Sequence, residues 1–272
     1  MIAGKVWWIT GASSGIGEAL AGALAKDGAK LILSGRNVEA LNDVAKRVGG
    51  ETLVLPFEAT DYARIPALVE QAWNWRGRVD GLVNNAGISQ RSLAVDTVFE
   101  VYEKIIGVDL LAPIALTQAL LPRMTAAGGG DLVAISSVAG IAGPPLRSAY
   151  SAAKAGIIGY HDSVRAETAH LGMRVLVVAP GSVKTNVSKN ALDANAATRG
   201  VSDSVIDNGM DVGVAAGRIV EALRNGDREL ILAEGMELEI ARLRRADPNK
   251  LFDLMVQLVA GGYAKQLGAE KS

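Results

Sequence analysis

Residues 6–17 read VWWITGASSGIG, and the next nine read EALAGALAK. Five β-branched or aromatic residues favour a strand, and the run rich in alanine and leucine favours a helix. Between the two stand Gly11, Gly15 and Gly17. A strand that passes into a helix through so short a glycine turn opens a strand–helix–strand unit. Glycine permits the tight turn, and the N–H groups at the helix start can receive a pyrophosphate. Gly11, Ser13, Ser14, Gly15, Ile16 and Gly17 are therefore candidate cofactor-binding residues. A glycine turn alone says little, and its position after a strand and before a helix is what gives it weight. Its spacing, G-x-x-x-G-x-G, differs from the commoner G-x-G-x-x-G.

The rest of the chain repeats that unit. Strands are expected at 5–10, 30–34, 51–57, 81–84, 131–136, 174–179 and 229–232. Helices are expected near 15–27, 38–48, 61–77, 98–126, 148–171 and 211–225. Most of the strands are apolar on both faces, as in a parallel sheet with helices on each side. The expected fold class is α/β: a doubly wound, mostly parallel seven-stranded sheet of the Rossmann type in a single domain. Residues 1–234 would form the dinucleotide-binding and catalytic part, with the polar stretch 182–210 as a mobile lid insertion over the substrate. Residues 235–272 carry amphipathic runs on either side of Pro248 and would add helices packed on the core or on a partner subunit. Arg242, Arg244 and Arg245 beside apolar residues also suit a membrane surface, a weaker reading.

Bulk properties exclude several classes. Hydrophobic content is 49% and net charge −1, enough apolar material for a large core and no basic balance for nucleic acid. There is no cysteine, so neither disulfides nor thiolate metal sites can form. His161 and His170 have no neighbouring carboxylate cluster and read as helix-surface residues, so no metal site is expected. No apolar run approaches the roughly 18 residues of a membrane span. A strand begins almost at once, leaving no room for a leader or anchor, and the location expected is cytoplasmic.

Two further stretches carry chemistry. The second strand ends Ser34-Gly35-Arg36-Asn37, with no acid where a carboxylate would hold an adenosine ribose 2′-hydroxyl. The Arg36 guanidinium suits a 2′-phosphate, aided by Ser13 and Ser14. NADP(H) is thus the favoured cofactor, with NAD(H) possible. Residues 148–156 read SAYSAAKAG. On a helix Tyr150 and Lys154 share one face, so their polar ends can converge on one object.

The glycine turn, NNAG at 84–87, ISSVAG with Ser137, Tyr150 with Lys154, and Pro180-Gly181 follow one another in order. In that order they resemble the short-chain dehydrogenase/reductase (SDR) family over about residues 4–232, in its compact NAD(P)(H)-dependent branch. The resemblance is strongest to members with SQRS after NNAG and a long C-terminal tail, several of which carry a membrane-anchoring N-terminus. It implies an oxidoreductase interconverting a carbonyl and an alcohol by hydride transfer, with Tyr150 as acid/base. A free phenol titrates near pH 10; Lys154 and an oxidised nicotinamide would favour its phenolate. Lys154 would also bond the nicotinamide ribose, and Ser137 would hold the substrate oxygen beside Tyr150. By the same resemblance Asn85, Ala86 and Gly87 pack on the adenosine ribose. Glu58 and Ala59 stand where the family has an Asp-Val pair against adenine. Pro180, Gly181, Val183 and Thr185 would hold the nicotinamide carboxamide. Ala152, Ala153, Ala155 and Gly156 would let this helix approach the cofactor and a neighbouring helix closely.

Asp109 is a departure, since the family commonly has Asn there, with a backbone that helps hold a water between Lys154 and solvent. Asp109 is carried as a candidate catalytic residue under two readings. In the preferred one only its backbone matters; in the other its carboxylate keeps Lys154 charged and alters the proton route. Around it the helix 98–126 is apolar on nearly every side. A helix hydrophobic all round is buried all round, and the family's long helices often meet across subunits, so a homodimer or homotetramer is expected. Ile88–Arg91, Val138–Leu146, Ser182 and the insertion would bound a mostly apolar substrate pocket, fitting a small apolar carbonyl or alcohol. Two other functions compete. A non-catalytic nucleotide sensor or scaffold would be expected to lack Tyr, Lys or Ser, and all three are present. An isomerase or dehydratase is disfavoured by the compact glycine spacing and short C-terminal region.

Overall fold

The computed structural model describes residues 2–263, so 264–272 of the expected extension lie outside the described residues. Seven parallel strands form one sheet: β1 (Val6–Thr10), β2 (Lys30–Ser34), β3 (Thr52–Val54), β4 (Gly81–Asn84), β5 (Gly130–Ile135), β6 (Met173–Pro180) and β7 (Glu229–Leu232), in the order β3-β2-β1-β4-β5-β6-β7. Strand order reverses between β1 and β4, where an open α/β sheet forms its ligand crevice at the strands' carboxyl ends. All five residues of β1 are buried. Trp7 and Ile9 enter the core on one side of the sheet, Val6 and Trp8 the core on the other. That explains the unbroken apolar run: both faces of the strand are covered. The Trp8 indole N–H donates to Ser34 Oγ at 2.8 Å, which donates to the Leu55 carbonyl at 2.6 Å.

The helices are α1 (Gly15–Lys26), α2 (Val38–Val48), α3 (Ile65–Arg76), α4 (Phe99–Ile106), α5 (Ala112–Ala126), α6 (Val138–Ile141), α7 (Ser148–Thr168), α8 (Ser204–Asp207), α9 (Val212–Asn225), α10 (Gly235–Ala246) and α11 (Pro248–Ala260). The strand expected over 51–57 is shorter than the sequence suggested. Pro56 lacks the N–H that would continue the ladder, while Leu55 and Phe57 donate singly to Leu33 O and Gly35 O.

The long apolar helix requires a correction on two points. Phe99–Ala126 is 28 residues long and contains an 18-residue stretch of mean hydropathy 1.7, long and apolar enough to cross a membrane, although 44% of that stretch is buried in the fold. It is also not unpartnered: α4 packs on α7, and α5 packs on α3 and α7. Val101, Ile105, Leu116 and Leu120 are therefore buried within one chain, leaving Val98, Phe99 and Leu111 exposed. The helix is interrupted by a wide π turn at Gly107–Leu111. Pro113 explains it: with no N–H to offer the carbonyl four residues back, it frees that of Asp109.

Candidate active site

The carboxyl ends of β1 and β4 are latched together. Thr10 Oγ1 donates to Val83 O and accepts from the N–H groups of Asn85 and Ala86 at 3.0 and 3.1 Å. The Asn85 amide donates to Thr10 O at 2.9 Å and Gly11 O at 3.2 Å. These bonds hold NNAG against the glycine turn and account for Gly17. A Cβ there would lie 2.5 Å from Asn85 Nδ2 and strike Gly11 O. Gly11 and Gly15 have φ of +65° and +59°, where a side chain is strained. Ser14 makes no side-chain cap on α1, so the helix start keeps N–H groups for a phosphate. A small cavity beside the latch is lined by Thr10, Phe57, Ala59, Ala86 and Val108. The turn and uncapped helix start fit the pyrophosphate of a dinucleotide.

Arg36 reaches outward, its side chain 73% exposed, with Glu58 at 3.8 Å. The Glu58 carboxylate thus neighbours Arg36, and Ala59 is the residue that lines the cavity. Ser13 Oγ lies 3.6 Å from where a Gly35 Cβ would stand, putting hydroxyl and guanidinium at one end of the crevice.

At the other end α7 carries Tyr150 and Lys154. Lys154 is buried; its Nζ donates to Ile135 O at 3.1 Å and lies 5.6 Å from the Tyr150 ring centroid. The backbone beneath it is clamped, because Ser136 Oγ donates to Lys154 O at 2.7 Å. The π turn aims Asp109 at the same spot: Oδ2 lies 3.2 Å from Lys154 Nζ, and Oδ1 accepts from Ile88 N–H at 2.8 Å. Oδ2 has no aligned hydrogen bond, so charge rather than a directed bond holds it. Burial is the largest single influence and works against the Lys154 charge, but Asp109 and Tyr150 together outweigh it, keeping the lysine above its usual range. Burial pushes Asp109 up, opposed by Lys154 and the Ile88 N–H. A Cβ on Gly87 would lie 2.8 Å from Asp109 Oδ2 and 3.2 Å from Lys154 Nζ. The last residue of NNAG is therefore glycine where the ion pair crosses the backbone.

Ser137 caps α6 by accepting from Ala139 N–H at 3.1 Å and donates to Pro180 O at 3.2 Å. Of the small residues on α7, Ala153 is buried and Gly156 lets the helix approach Leu110, which a Cβ would meet at 2.9 Å. Ala152 and Ala155 face outward. Thr185 Cγ2 lies 3.1 Å from where a Gly15 Cβ would stand, so the segment after β6 reaches over the glycine turn. Val183 is buried and bridges to Met210.

Sequence reasoning missed several contacts. The stretch 182–210, expected to be mobile, is pinned: Leu192 bridges to Gln90 and packs in the cluster that includes Tyr150 and Ile88. Arg91, placed on the pocket wall by the sequence, is instead 3% exposed and paired with Asp203 at 2.6 Å. Burial is the main force pushing Arg91 down to about 10, with Arg147 adding to it. Glu237 of α10 accepts from Ser182 N–H at 2.6 Å and Ser182 Oγ at 2.8 Å, and a Cβ on Gly181 would strike its carboxylate. Nothing in the sequence pointed to a residue 55 positions away. His161 is corrected as well. It is fully buried, its Nδ1 2.9 Å from Ile157 O, and burial pushes it down to about 4. Among the described residues no group of three or more acids and histidines could hold a metal ion.

Residues 5–196 match the model of the short chain dehydrogenase family. Mouse dehydrogenase/reductase SDR family member 7B is 34% identical over 91% of this chain and 79% of its own length. The zebrafish (Danio rerio) member 7B protein is 34% identical over 98% and 88%. Among solved structures, a short-chain dehydrogenase from Streptomyces avermitilis superposes with TM-score 0.80 at 29% identity, covering 95% of this chain and 98% of that one. One from Burkholderia phymatum, solved with NAD, superposes with TM-score 0.82 at 23% identity, covering 90% and 94%, a likeness of fold. These matches overturn the cytoplasmic location expected from the sequence. The member 7B relatives are of the kind that the sequence resemblance ties to a membrane anchor, and the helix Phe99–Ala126 removes the argument from missing apolar length.

Proposed function

Because the chain belongs to the short-chain dehydrogenase/reductase family of NAD(P)-dependent oxidoreductases, we propose that it interconverts a carbonyl and an alcohol with NADP(H), using Tyr150 as acid/base. The observation that carries this reading is the buried Lys154 ammonium beneath the Tyr150 ring, fixed by Ile135 O and Asp109. The cofactor supplies a hydride to the carbonyl carbon. Tyr150 gives the carbonyl oxygen its proton in reduction and takes it back in oxidation. Ser137 holds that oxygen as its charge changes, and Lys154 bonds the nicotinamide ribose. Gly11 to Gly17 and the start of α1 receive the pyrophosphate; Asn85, Ala86 and Gly87 flank the adenosine ribose, with Ala59 at the base. Pro180, Gly181, Val183 and Thr185 hold the carboxamide.

Preference for NADP(H) rests on Arg36 and Ser13 at the adenosine end, where the nearest acid, Glu58, is already opposed by Arg36. The apolar neighbours of Tyr150, among them Ile88 and Leu192, support a small apolar substrate. Exposed Val98, Phe99 and Leu111 favour a second copy of the chain against the start of α4 and the π turn. The reading is tested by following NADPH fluorescence with ketones, aldehydes and quinones, and NADP⁺ reduction with alcohols. Turnover with kcat/KM higher for NADPH than NADH is expected. Binding without turnover across the whole panel would point instead to a nucleotide sensor or scaffold.

A further inference from the structure

α7 begins two residues before its acid/base candidate and has no cap of its own. Arg147, at the cap position, offers no side-chain bond to the helix start. The acceptor comes from 59 residues upstream: Gln90 Oε1 takes the Ala149 N–H at 2.9 Å. Gln90 is fully buried, and its amide nitrogen lies 3.1 Å from Ser92 Oγ and 3.3 Å from Thr97 Oγ1. Its backbone is tied too, since Leu192 N–H donates to Ser89 O at 2.8 Å and Arg91 N–H to Leu192 O at 2.9 Å. Arg91 Nε then donates to Asp203 Oδ2 at 2.6 Å, and Arg91 Nη1 to Ser89 Oγ at 2.9 Å. Asp203 also accepts from Arg199 at 2.8 Å.

Ser89, Gln90, Arg91, Ser92 and Asp203 are each no more than 3% exposed. Burying this much polarity is costly unless every group is satisfied. The network's two ends are the start of α7 and the segment that follows Thr185. We propose that Gln90 and the Arg91–Asp203 pair are positioning residues: they cap α7 from outside the helix and tie the aim of Tyr150 to the seating of residues 188–203. The inference rests on the reading of Tyr150 as acid/base. A cap supplied from the neighbouring wall of the site ensures that α7 is held in register only when that wall is in place. Because a displacement of about 1 Å at a reacting group can cost about a hundredfold in rate, a weakened cap acts on turnover more than on binding.

The experiment compares Gln90→Met, Gln90→Glu, Asp203→Asn and Gln90→Met/Asp203→Asn with the parent, using phenanthrenequinone as carbonyl probe. Rates are normalised to NADPH-binding sites titrated by fluorescence. Gln90→Met is expected to lower kcat by about ten- to a hundredfold with the Kd for NADPH within about twofold. Deuterated NADPH should give a larger primary isotope effect than in the parent, because proton and hydride transfer become slower. Gln90→Glu keeps an acceptor for Ala149 N–H and should recover much of the lost rate. The double variant should lose less than the product of the single losses, since both act through one network. Unchanged kcat per bound NADPH in both Gln90→Met and Asp203→Asn, no rescue by Gln90→Glu, or strictly multiplicative losses would overturn the proposal. If Gln90→Met does not fold, Gln90→Glu against Asp203→Asn still decides it. Tyr150→Phe run alongside separates the two readings. Inert Tyr150→Phe with unaffected Gln90 variants removes the positioning role alone, whereas full activity in Tyr150→Phe removes the acid/base reading.

Discussion

Asp109→Asn removes one charge from a buried pair and leaves its shape. The side chains of Lys154 and Asp109 are 5% and 0% exposed, with 3.2 Å between Nζ and Oδ2. At an effective dielectric near 20 their attraction is about 5 kcal/mol before desolvation is counted. An asparagine can still accept from Ile88 N–H, but Lys154 is then buried without a counter-charge. Removing one partner of a buried pair costs roughly 3–5 kcal/mol, so we expect Asp109→Asn to lose about 3 kcal/mol at pH 7 in urea unfolding. The pH dependence gives a second, independent sign. In the parent, Lys154 sits above its usual range, so its contribution is whole below about pH 10.4 and is lost only as pH rises through the higher folded value. In the variant the Asp109 charge is gone, and burial, the largest influence on Lys154, pushes the lysine down against Tyr150 only. The unfolded chain then binds that proton more readily, and the variant gains stability as pH rises towards 10. The gap between parent and variant must therefore narrow from pH 7 to 10. A gap under about 0.5 kcal/mol at pH 7, or one that does not narrow, would refute the account of the pair.

Three other outcomes follow from the same contacts. Arg36→Asp should reduce kcat/KM for NADPH and raise it for NADH, moving their ratio by about tenfold or more; an unchanged ratio would detach Arg36 from cofactor choice. His161 is buried and pushed down to about 4, so the unfolded chain binds its proton first, and stability falls as pH drops from about 6.5 to 4. The loss reaches up to about 3 kcal/mol, and unfolding of His161→Phe across that range should lack this component. Glu237→Gln should cost about 1 kcal/mol and raise the KM for NADPH, because the two bonds from Ser182 lose their charge assistance; an unaltered KM would leave Glu237 a structural role only.

The sheet and the glycine turn after β1 were legible because local chemistry determines them. β2, β4 and β7 occupy the residues expected, since each is an apolar run bounded by turn residues. Gly11 and Gly17 read as a phosphate turn, and their contacts with NNAG explain why nothing larger fits. What could not be read depends on long-range geometry. Of the two readings of Asp109, the structure puts the carboxylate itself on Lys154, because the π turn at Pro113 swings it there. Periodicity shows an apolar helix and no such turn. His161 read as a helix-surface residue, but α7 packs on β6 and α5, and its imidazole is fully buried. SQRS was visible as a motif, yet its partners, Ala149 and Asp203, stand 59 and 112 positions away from it.

The central claim is that Tyr150 moves the proton while Lys154 holds its surroundings. The most direct measurement is single-turnover oxidation of pre-bound NADPH by a carbonyl substrate in the parent and in Tyr150→Phe, with NADPH affinity measured on the same samples. The account predicts unchanged affinity within about twofold and a rate at least about a hundredfold lower in Tyr150→Phe. A Tyr150→Phe enzyme that binds NADPH and turns over as fast as the parent would contradict it.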